Sequence, residues 1–226
     1  WHRTRGSLPQ SQPSGGGAAS SRFSCEGGSG LANFAGVLEK EQYFWANKNG
    51  DAFASGASHF TGPANVSKRP NWFFNDLNYT IMTAHPCIDE QKAIYVSHRN
   101  GILRKFRADG LLNWTNEANF DPGDYNAQLV TGGPVLMDGS IYTASTDGKV
   151  LSVDMKSGKT RWHKKVAFAM TTDAWSLAGR SGVVVVAARS GQRDYADLVV
   201  AVDGDSGEVL WVWRMPHGKT SYNWLG

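Results

Sequence analysis

The sequence has 226 residues, of which 41% are hydrophobic and 12% are aromatic, and this content is enough for a folded core. The formal net charge is only +3 and no run of lysine or arginine exceeds two residues, so the composition gives no support to nucleic-acid binding. No stretch of about eighteen apolar residues is present, so we expect no membrane-spanning segment.

The first 50 residues are predicted to form a flexible, irregular N-terminal extension. Residues 1–30 are rich in glycine, serine, glutamine and proline, and such a composition cannot bury enough apolar surface to offset the entropy of ordering. Apolar residues fall near helical spacing over residues 31–45, which predicts a short amphipathic helix. We favour packing of this helix against the rest of the chain over a role as a separate docking helix.

The two cysteines, Cys25 and Cys87, are too few for a disulfide framework or a zinc site. Two interpretations stay open. Both residues are free thiols, which we favour, or a single bridge ties the extension to the folded domain and implies an oxidising compartment.

Residues 79–126 and 127–168 are each predicted to form four β-strands. In the first group the strands cover residues 79–87, 93–97 and 102–106 and the surroundings of Trp114. In the second group an apolar run reaches Met137, residues 141–145 and 150–154 follow, and Trp162 opens the last strand. The pairs 138–139 and 147–148 are both Asp-Gly, which predicts two-residue hairpin turns, and residues 154–158 form a third turn.

A third group of strands covers residues 169–215, and a further group starts at residues 216–226. In the third group the segment VVVVAA, residues 183–188, is predicted to be a fully buried strand because every side chain is apolar. The hairpin loop that follows is about seven residues longer than the equivalent turns, and long loops on a rigid scaffold often carry function. An exposed, variable loop without a fixed role is the competing interpretation.

A repeat relates these groups. Asp154, Gly158 and Trp162 recur forty-nine residues later as Asp203, Gly207 and Trp211. Phe106, Gly110 and Trp114 keep the spacing forty-eight residues upstream, and Trp72 precedes Trp114 by forty-two residues. A period in the forties with four strands per unit is typical of propeller blades.

The segments LSVDMKSGKTRW and VAVDGDSGEVLW resemble the repeat of the PQQ-like (quinoprotein-type) β-propellers, in which an Asp, a Gly and a Trp mark each blade. The resemblance covers residue 51 to the C-terminus and is looser at FRADGLLNW, where Phe106 replaces the Asp. It implies an all-β, PQQ-like β-propeller, here a partial one with about three four-stranded antiparallel blades. It also implies that residues 51–78 form an entry segment whose part around Trp72 is a closing strand.

The resemblance specifies an architecture better than a function. The function we favour is a non-catalytic scaffold for protein–protein interaction, an accessory subunit of a larger, membrane-associated assembly in a translocated compartment: periplasm, organelle lumen or extracellular space. Other protein subunits would bind through the N-terminal extension and the blade loops. Repeat residues would then be structural, packing blade against blade: Trp72, Trp114, Trp162, Trp211, Gly110, Gly158, Gly207, Asp154 and Asp203.

The alternative function is that of a PQQ-dependent dehydrogenase, with PQQ and Ca²⁺, whose cofactor-binding blades lie outside this sequence. A carbohydrate- or small-molecule-binding propeller is a weaker third class. We assign no catalytic, cofactor-binding or metal residue, since the six histidines show no ligand-like spacing. The candidate interaction residues lie in the blade-three loop or off the repeat: Trp175, Arg189, Arg193, Asp194, Tyr195 and Trp224.

Overall fold

The computed structural model describes residues 43–47, 49–51, 55–56, 65, 67–75, 85–98, 100–118, 133–170, 177–191 and 197–214. Throughout these ranges the chain contains β-strands, turns and loops and no helix. The fold is an all-β propeller arrangement of three antiparallel sheets in chain order, which confirms the predicted fold class.

Each sheet is one blade, and consecutive strands pair with each other, except that the short first strand of blade three pairs with the third strand of that blade. Blade one contains β1 (Cys87–Ile88), β2 (Ile94–Ser97), β3 (Leu103–Phe106) and β4 (Leu112–Asn116). Blade two contains β5 (Val135–Met137), β6 (Ser140–Ala144), β7 (Lys149–Asp154) and β8 (Thr160–Lys165). Blade three contains β9 (Ala169–Met170), β10 (Leu177–Arg180), β11 (Val183–Arg189), β12 (Asp197–Asp203) and β13 (Val209–Arg214).

The first Asp-Gly turn of blade two is the predicted two-residue hairpin. Asp138 and Gly139 both have positive φ, 50° and 72°, which matches the twist of the flanking strands. The second prediction was wrong, because only Gly148 has positive φ, at 84°. There the loop has three residues, closed by a 3.0 Å bond from the Ser145 amide to the Lys149 carbonyl. Asp147 stabilises this loop by accepting a 2.6 Å bond from the Ser145 hydroxyl.

The apolar cores lie between the blades. In blade two, Val135, Met137 and Tyr142 belong to the cluster shared with blade three, whereas Leu136 and Ile141 belong to the cluster shared with blade one. Successive residues of a strand point to opposite faces, so both faces of this sheet are buried. This burial explains the nearly continuous apolar character of its strands.

Blade three departs from the other two. Both β9 and β10 pair with β11: Met170 lies opposite Ala188, and Leu177 lies opposite Val186. A single residue between Met170 and Leu177 would continue one unbroken strand opposite β11, but the chain has six residues there. The prediction of a fully buried β11 was wrong: Val184, Val186 and Ala188 are buried, whereas the alternate residues are half-buried. One face packs on blade two, and the other has no comparable cover within the described ranges.

The N-terminal predictions fall partly outside the described residues. Residues 31–42 of the predicted helix lie outside them, and the end of that helix was wrong, because Trp45 forms a β-bridge with Ile88. Residues 71–75 form no strand, so the segment around Trp72 is not the paired closing strand that we expected. Cys87 is a buried free thiol. Cys25 lies outside the described residues.

Candidate interaction surfaces

The blades are joined by tryptophan rings that lie directly over glycines. A Cβ atom on Gly158 would lie 2.6 Å from Cδ2 of Trp114, and one on Gly207 would lie 2.8 Å from Cδ2 of Trp162. Both glycines also have positive φ, 72° and 71°. Since a side chain would be strained by the backbone and would strike the ring, only glycine fits these two positions.

Trp72 makes the same contact with blade one. A Cβ atom on Gly110 would lie 2.4 Å from Cδ2 of Trp72. The Trp72 ring also stacks on Phe106, with centroids 6.0 Å apart, and Phe74 packs on Phe106 at 4.8 Å. Phe106 occupies the place that Asp154 has in blade two. Aromatic packing on Phe106 therefore takes the place of the contacts made by Asp154, and a different carboxylate, Asp109, accepts a 3.1 Å bond from the Leu111 amide in this turn.

A shared carbonyl oxygen links each pair of blades. Trp114 Nε1 donates to the Met155 carbonyl at 3.2 Å, and Lys105 Nζ donates to the same oxygen at 3.1 Å. At the next interface Trp162 Nε1 and the Tyr142 hydroxyl donate to the Gly204 carbonyl, at 2.8 Å and 3.1 Å. Both interfaces use two donors on one carbonyl, although the second donor is an ammonium in one case and a hydroxyl in the other.

Aspartates hold the turns that present the glycines. One carboxylate oxygen of Asp154 accepts bonds from the Ser157 amide at 2.7 Å and the Ser157 hydroxyl at 2.8 Å. Asp203 accepts the same two bonds from Ser206. The Ser157 bonds, and then Arg161, hold the pKa of Asp154 at about 2, below its usual 3.8. These carboxylates are therefore ionised and act as turn-stabilising acceptors.

A buried ion pair, which the sequence did not reveal, lies beside the first interface. Lys105 Nζ lies 3.5 Å from Oδ2 of Asp89, whose side chain is 1% exposed. Asp89 also accepts bonds from the Ala93 amide and the Tyr95 hydroxyl, both at 2.8 Å. Burial, and then the bond to Asp89, raises the pKa of Tyr95, so its hydroxyl stays protonated and donates. The available signal was the charged pair Arg104-Lys105 between the two apolar ends of β3, whose sequence is LRKF.

A cleft of about 500 Å³ opens from this ion pair towards solvent between blades one and two. Its deep end is formed by Asp89, Tyr95 and Lys105, and its outer part includes Asp154 and Arg161. The charged groups at the deep end bond to one another, and Arg161 pairs with Asp154 at 2.7 Å. The geometry therefore describes a junction between blades, and we assign no catalytic step to it.

The outer strand of blade three is the most apolar exposed surface among the described residues. Five consecutive side chains of β13 are between 45% and 51% exposed: Val209, Leu210, Trp211, Val212 and Trp213. In blade two the aligned strand β8 reads TRWHKK, and its Trp162 is only 9% exposed. Trp211 occupies the repeat position of Trp162, but no glycine covers it within the described ranges.

Most of the predicted interaction residues lie outside the described residues. Trp175, Arg193, Asp194, Tyr195 and Trp224 are in this group. Arg189 is at the end of β11, where it pairs with Asp197 and Ala169 at the start of the long loop.

Within the described ranges, no three His, Cys, Asp or Glu side chains converge in a way that could hold a metal ion. No helix in those ranges is long and apolar enough to cross a membrane.

Consecutive antiparallel sheets, each built on a path of four strands and joined to the next by the same tryptophan and glycine contact, define a PQQ-like β-propeller. Residues 54–225 match the family model described as outer membrane protein assembly factor BamB, and the chain belongs to that family.

Individual relatives are more distant. The chain is 26% identical over 97 residues to the quinohemoprotein alcohol dehydrogenase of Comamonas testosteroni, which covers 41% of the chain and 14% of that relative. The structure of the present chain is similar to that of a europium-containing methanol dehydrogenase, with a TM-score of 0.63 and 19% identity. The similarity covers 78% of this chain and 33% of the dehydrogenase. BamB from Moraxella catarrhalis gives a TM-score of 0.44 at 22% identity, covering 57% and 37%. The chain thus spans a third or less of the two dehydrogenases.

Proposed function

We propose that the chain is a non-catalytic β-propeller scaffold that binds other protein subunits as an accessory subunit of a larger, membrane-associated assembly. The observation that carries this proposal is β13, an outer strand with five consecutive large apolar side chains about half-exposed. Contiguous exposed apolar surface of this kind is typical of protein-binding sites, and an unpaired outer strand can accept a further strand. The description of the family as an assembly factor supports the same role.

The proposed contacts are the N-terminal extension, the blade-three loop that starts at Arg189, and β13. The loop and β13 belong to the same blade, so one partner could contact both. A translocated compartment, such as the periplasm or an organelle lumen, is the proposed location, in keeping with the description of the family.

The experiment is affinity purification of the tagged chain from its own source, with subunit stoichiometry measured by native mass spectrometry. The variants are Leu210→Arg and Val212→Arg, which place charge on β13 next to Trp211. The matched control is Leu111→Arg, because Leu111 of blade one is 59% exposed. We expect a partner at fixed stoichiometry in the wild type and the control, and its loss in both β13 variants. Retention of the same partner by folded β13 variants would contradict the proposed contact.

A second candidate is a PQQ-dependent dehydrogenase, favoured by the sequence match to a quinohemoprotein alcohol dehydrogenase. The test is alcohol-dependent dye reduction after addition of PQQ and Ca²⁺ to the purified protein. Saturable reduction that requires both additions would support this candidate over the scaffold.

A further inference from the structure

Residues 45–47, about 40 residues before β1, form a crossing that contacts one edge strand in each of the three blades: β1, β5 and β10. At blade one, the Trp45 amide donates to the Ile88 carbonyl at 3.0 Å, and the Ile88 amide donates to the Trp45 carbonyl at 2.9 Å. The Ala46 carbonyl then accepts a 2.8 Å bond from the Leu136 amide of blade two. Asn47 Oδ1 accepts a 3.3 Å bond from the Gly179 amide of blade three. Three consecutive residues thus contact three consecutive blades.

Two further contacts fix this crossing. The Tyr43 hydroxyl accepts a 3.0 Å bond from the Gly139 amide in the first turn of blade two. The Cys87 thiol of blade one has one proton, which it donates to the nearer of two carbonyls, that of Pro134 at 2.8 Å, and its sulfur lies 3.3 Å from the Ala46 carbonyl of the crossing. Asn47 is only 5% exposed, so its amide oxygen has exchanged water for the Gly179 amide.

A tight turn closes the segment immediately afterwards. Asn49 and Gly50 have positive φ, 59° and 98°. The Gly50 carbonyl accepts a 2.8 Å bond from the Ala46 amide, and the Gly50 amide donates to the Asn47 carbonyl at 3.0 Å. Since the turn bonds back onto Ala46 and Asn47, it holds the crossing residues in the conformation that reaches the blades.

The crossing covers strand edges that the blades leave unpaired. Strands β1, β5 and β10 each stand first in the pairing order of their sheet and have one neighbour in it; β9 comes before β10 in the chain but pairs with β11 off this path. Such an edge presents free amides and carbonyls that would accept a foreign strand. Here Ile88, Leu136 and Gly179 use edge groups to bond to residues 45–47.

We propose that residues 43–47, with their closing turn at 49–50, form an inner strap that holds the first strands of the three blades at fixed spacing and blocks strand addition at those edges. The blades then depend on two separate sets of contacts: the tryptophan contacts towards their outer strands and the inner strap at their first strands. The strap leaves the opposite edges, at β4, β8 and β13, available for strand addition by a partner. The strap itself does not rest on the proposed scaffold function, because its contacts are intramolecular.

The first test is residue-resolved amide hydrogen exchange on the full chain. In the wild type we expect the Leu136, Gly139 and Gly179 amides to be protected. Asn47→Ala should raise exchange at Gly179, and Tyr43→Phe should raise it at Gly139, each by about fivefold to tenfold for one lost bond. Asn65→Ala is the matched control, since Asn65 is exposed and, within the part of the chain that the structure describes, its side chain accepts a bond from the nearby Ser67 amide. Amides of β12 should be unchanged in all variants.

The result that would overturn the strap is rapid exchange of all three amides in the wild type, or no change at Gly179 and Gly139 in the two variants. Asn47→Ala could unfold the chain, which would raise exchange everywhere. Tyr43→Phe then decides, because it removes one hydroxyl and leaves the packing in place.

The second test measures spacing between blades. Spin labels at Ala108→Cys in blade one and Asp205→Cys in blade three occupy exposed turn positions, in a Cys25→Ser background that keeps the buried Cys87. We expect a narrow distance distribution that broadens in Asn47→Ala, which removes the side-chain bond to Gly179 of blade three, and stays narrow in Asn65→Ala. An unchanged distribution in folded Asn47→Ala would overturn the proposal.

Discussion

Lys105 of blade one donates from its ammonium to the carbonyl oxygen of Met155 in blade two, at 3.1 Å. At the next interface the equivalent bond comes from the Tyr142 hydroxyl to Gly204. The first interface therefore contains a buried charge that the second does without, and Asp89 is its counter-charge. This difference makes the first interface the more sensitive to loss of a single polar group.

Lys105→Met removes the cation from a carboxylate that is 1% exposed. We expect the free energy of unfolding to fall by about 3–5 kcal/mol, because a buried charge loses its partner. Urea denaturation at neutral pH measures the change, and Lys156→Met, on the exposed β7–β8 turn, is the control. Adding Asp89→Asn should recover part of the loss. Equal stability of Lys105→Met and the control would contradict the structural role of the pair.

Gly158→Ala tests the contact between tryptophan and glycine. Gly139 is a matched control, since both glycines have a φ of 72° but a Cβ atom at Gly139 meets nothing within 4 Å. Gly139→Ala should cost about 1 kcal/mol from backbone strain alone. Gly158→Ala should cost about 1–3 kcal/mol more, because the new methyl displaces the Trp114 ring. Equal costs in denaturant unfolding would show that the ring does not need this space.

Two substitutions of Trp162 distinguish the stability contributed by packing of its ring from that contributed by its hydrogen bond. Trp162→Ala should lower the free energy of unfolding by about 3–5 kcal/mol, since it empties a site between blades two and three. Trp162→Phe should cost much less. It keeps most of the ring, and the Gly204 carbonyl retains its bond from Tyr142, so the loss from that bond is about 1 kcal/mol. Similar costs for the two variants would indicate that the indole bond, not the packing, joins the blades.

Because the pKa of the turn aspartate Asp154 is lowered in the folded protein, we expect the protein to lose stability in acid. The pKa of Asp154 is about 2 in the folded protein and 3.8 ordinarily. A lowered pKa contributes stability that is present above the ordinary value and lost as the pH falls through the folded value. The difference in Tm between the wild type and Asp154→Asn should thus be full at about pH 5 and shrink towards pH 2. A difference that stays constant over this range would contradict the assignment.

Cys87 should be unreactive in the native protein. Burial raises the pKa of its thiol, and only the thiolate attacks disulfide reagents. In a Cys25→Ser variant, we expect no labelling by a thiol-reactive disulfide under native conditions and one equivalent in denaturant. Rapid native labelling would show that the inner strap does not cover this residue.

The fold could be predicted because its determinants are local and repeated. Alternating apolar residues, Asp-Gly turns and the forty-odd-residue period all lie within one blade, and they specified three four-stranded sheets. The spacing of Gly158 and Trp162 was visible because each blade repeats it. The Asp-Gly dipeptide alone does not determine the turn type. At 138–139 it forms a two-residue turn, whereas Asp147 and Gly148 form part of a three-residue turn in which the Ser145 hydroxyl bonds to the aspartate.

The inner strap and the buried ion pair could not be predicted in the same way. The contact from Asn47 to Gly179 joins residues 132 apart in the sequence, and the bond from Lys105 to Met155 joins residues 50 apart. Neither carries a periodic signal. The burial of β11 was overestimated for a related reason, because composition records how apolar a strand is and not whether a neighbour covers its second face.

We propose that this propeller acts by binding other subunits. Native mass spectrometry of the protein purified from its own source tests this proposal most directly. We predict a complex of fixed stoichiometry with at least one other protein. A monomer that binds PQQ and reduces a dye with alcohol as the donor would contradict it.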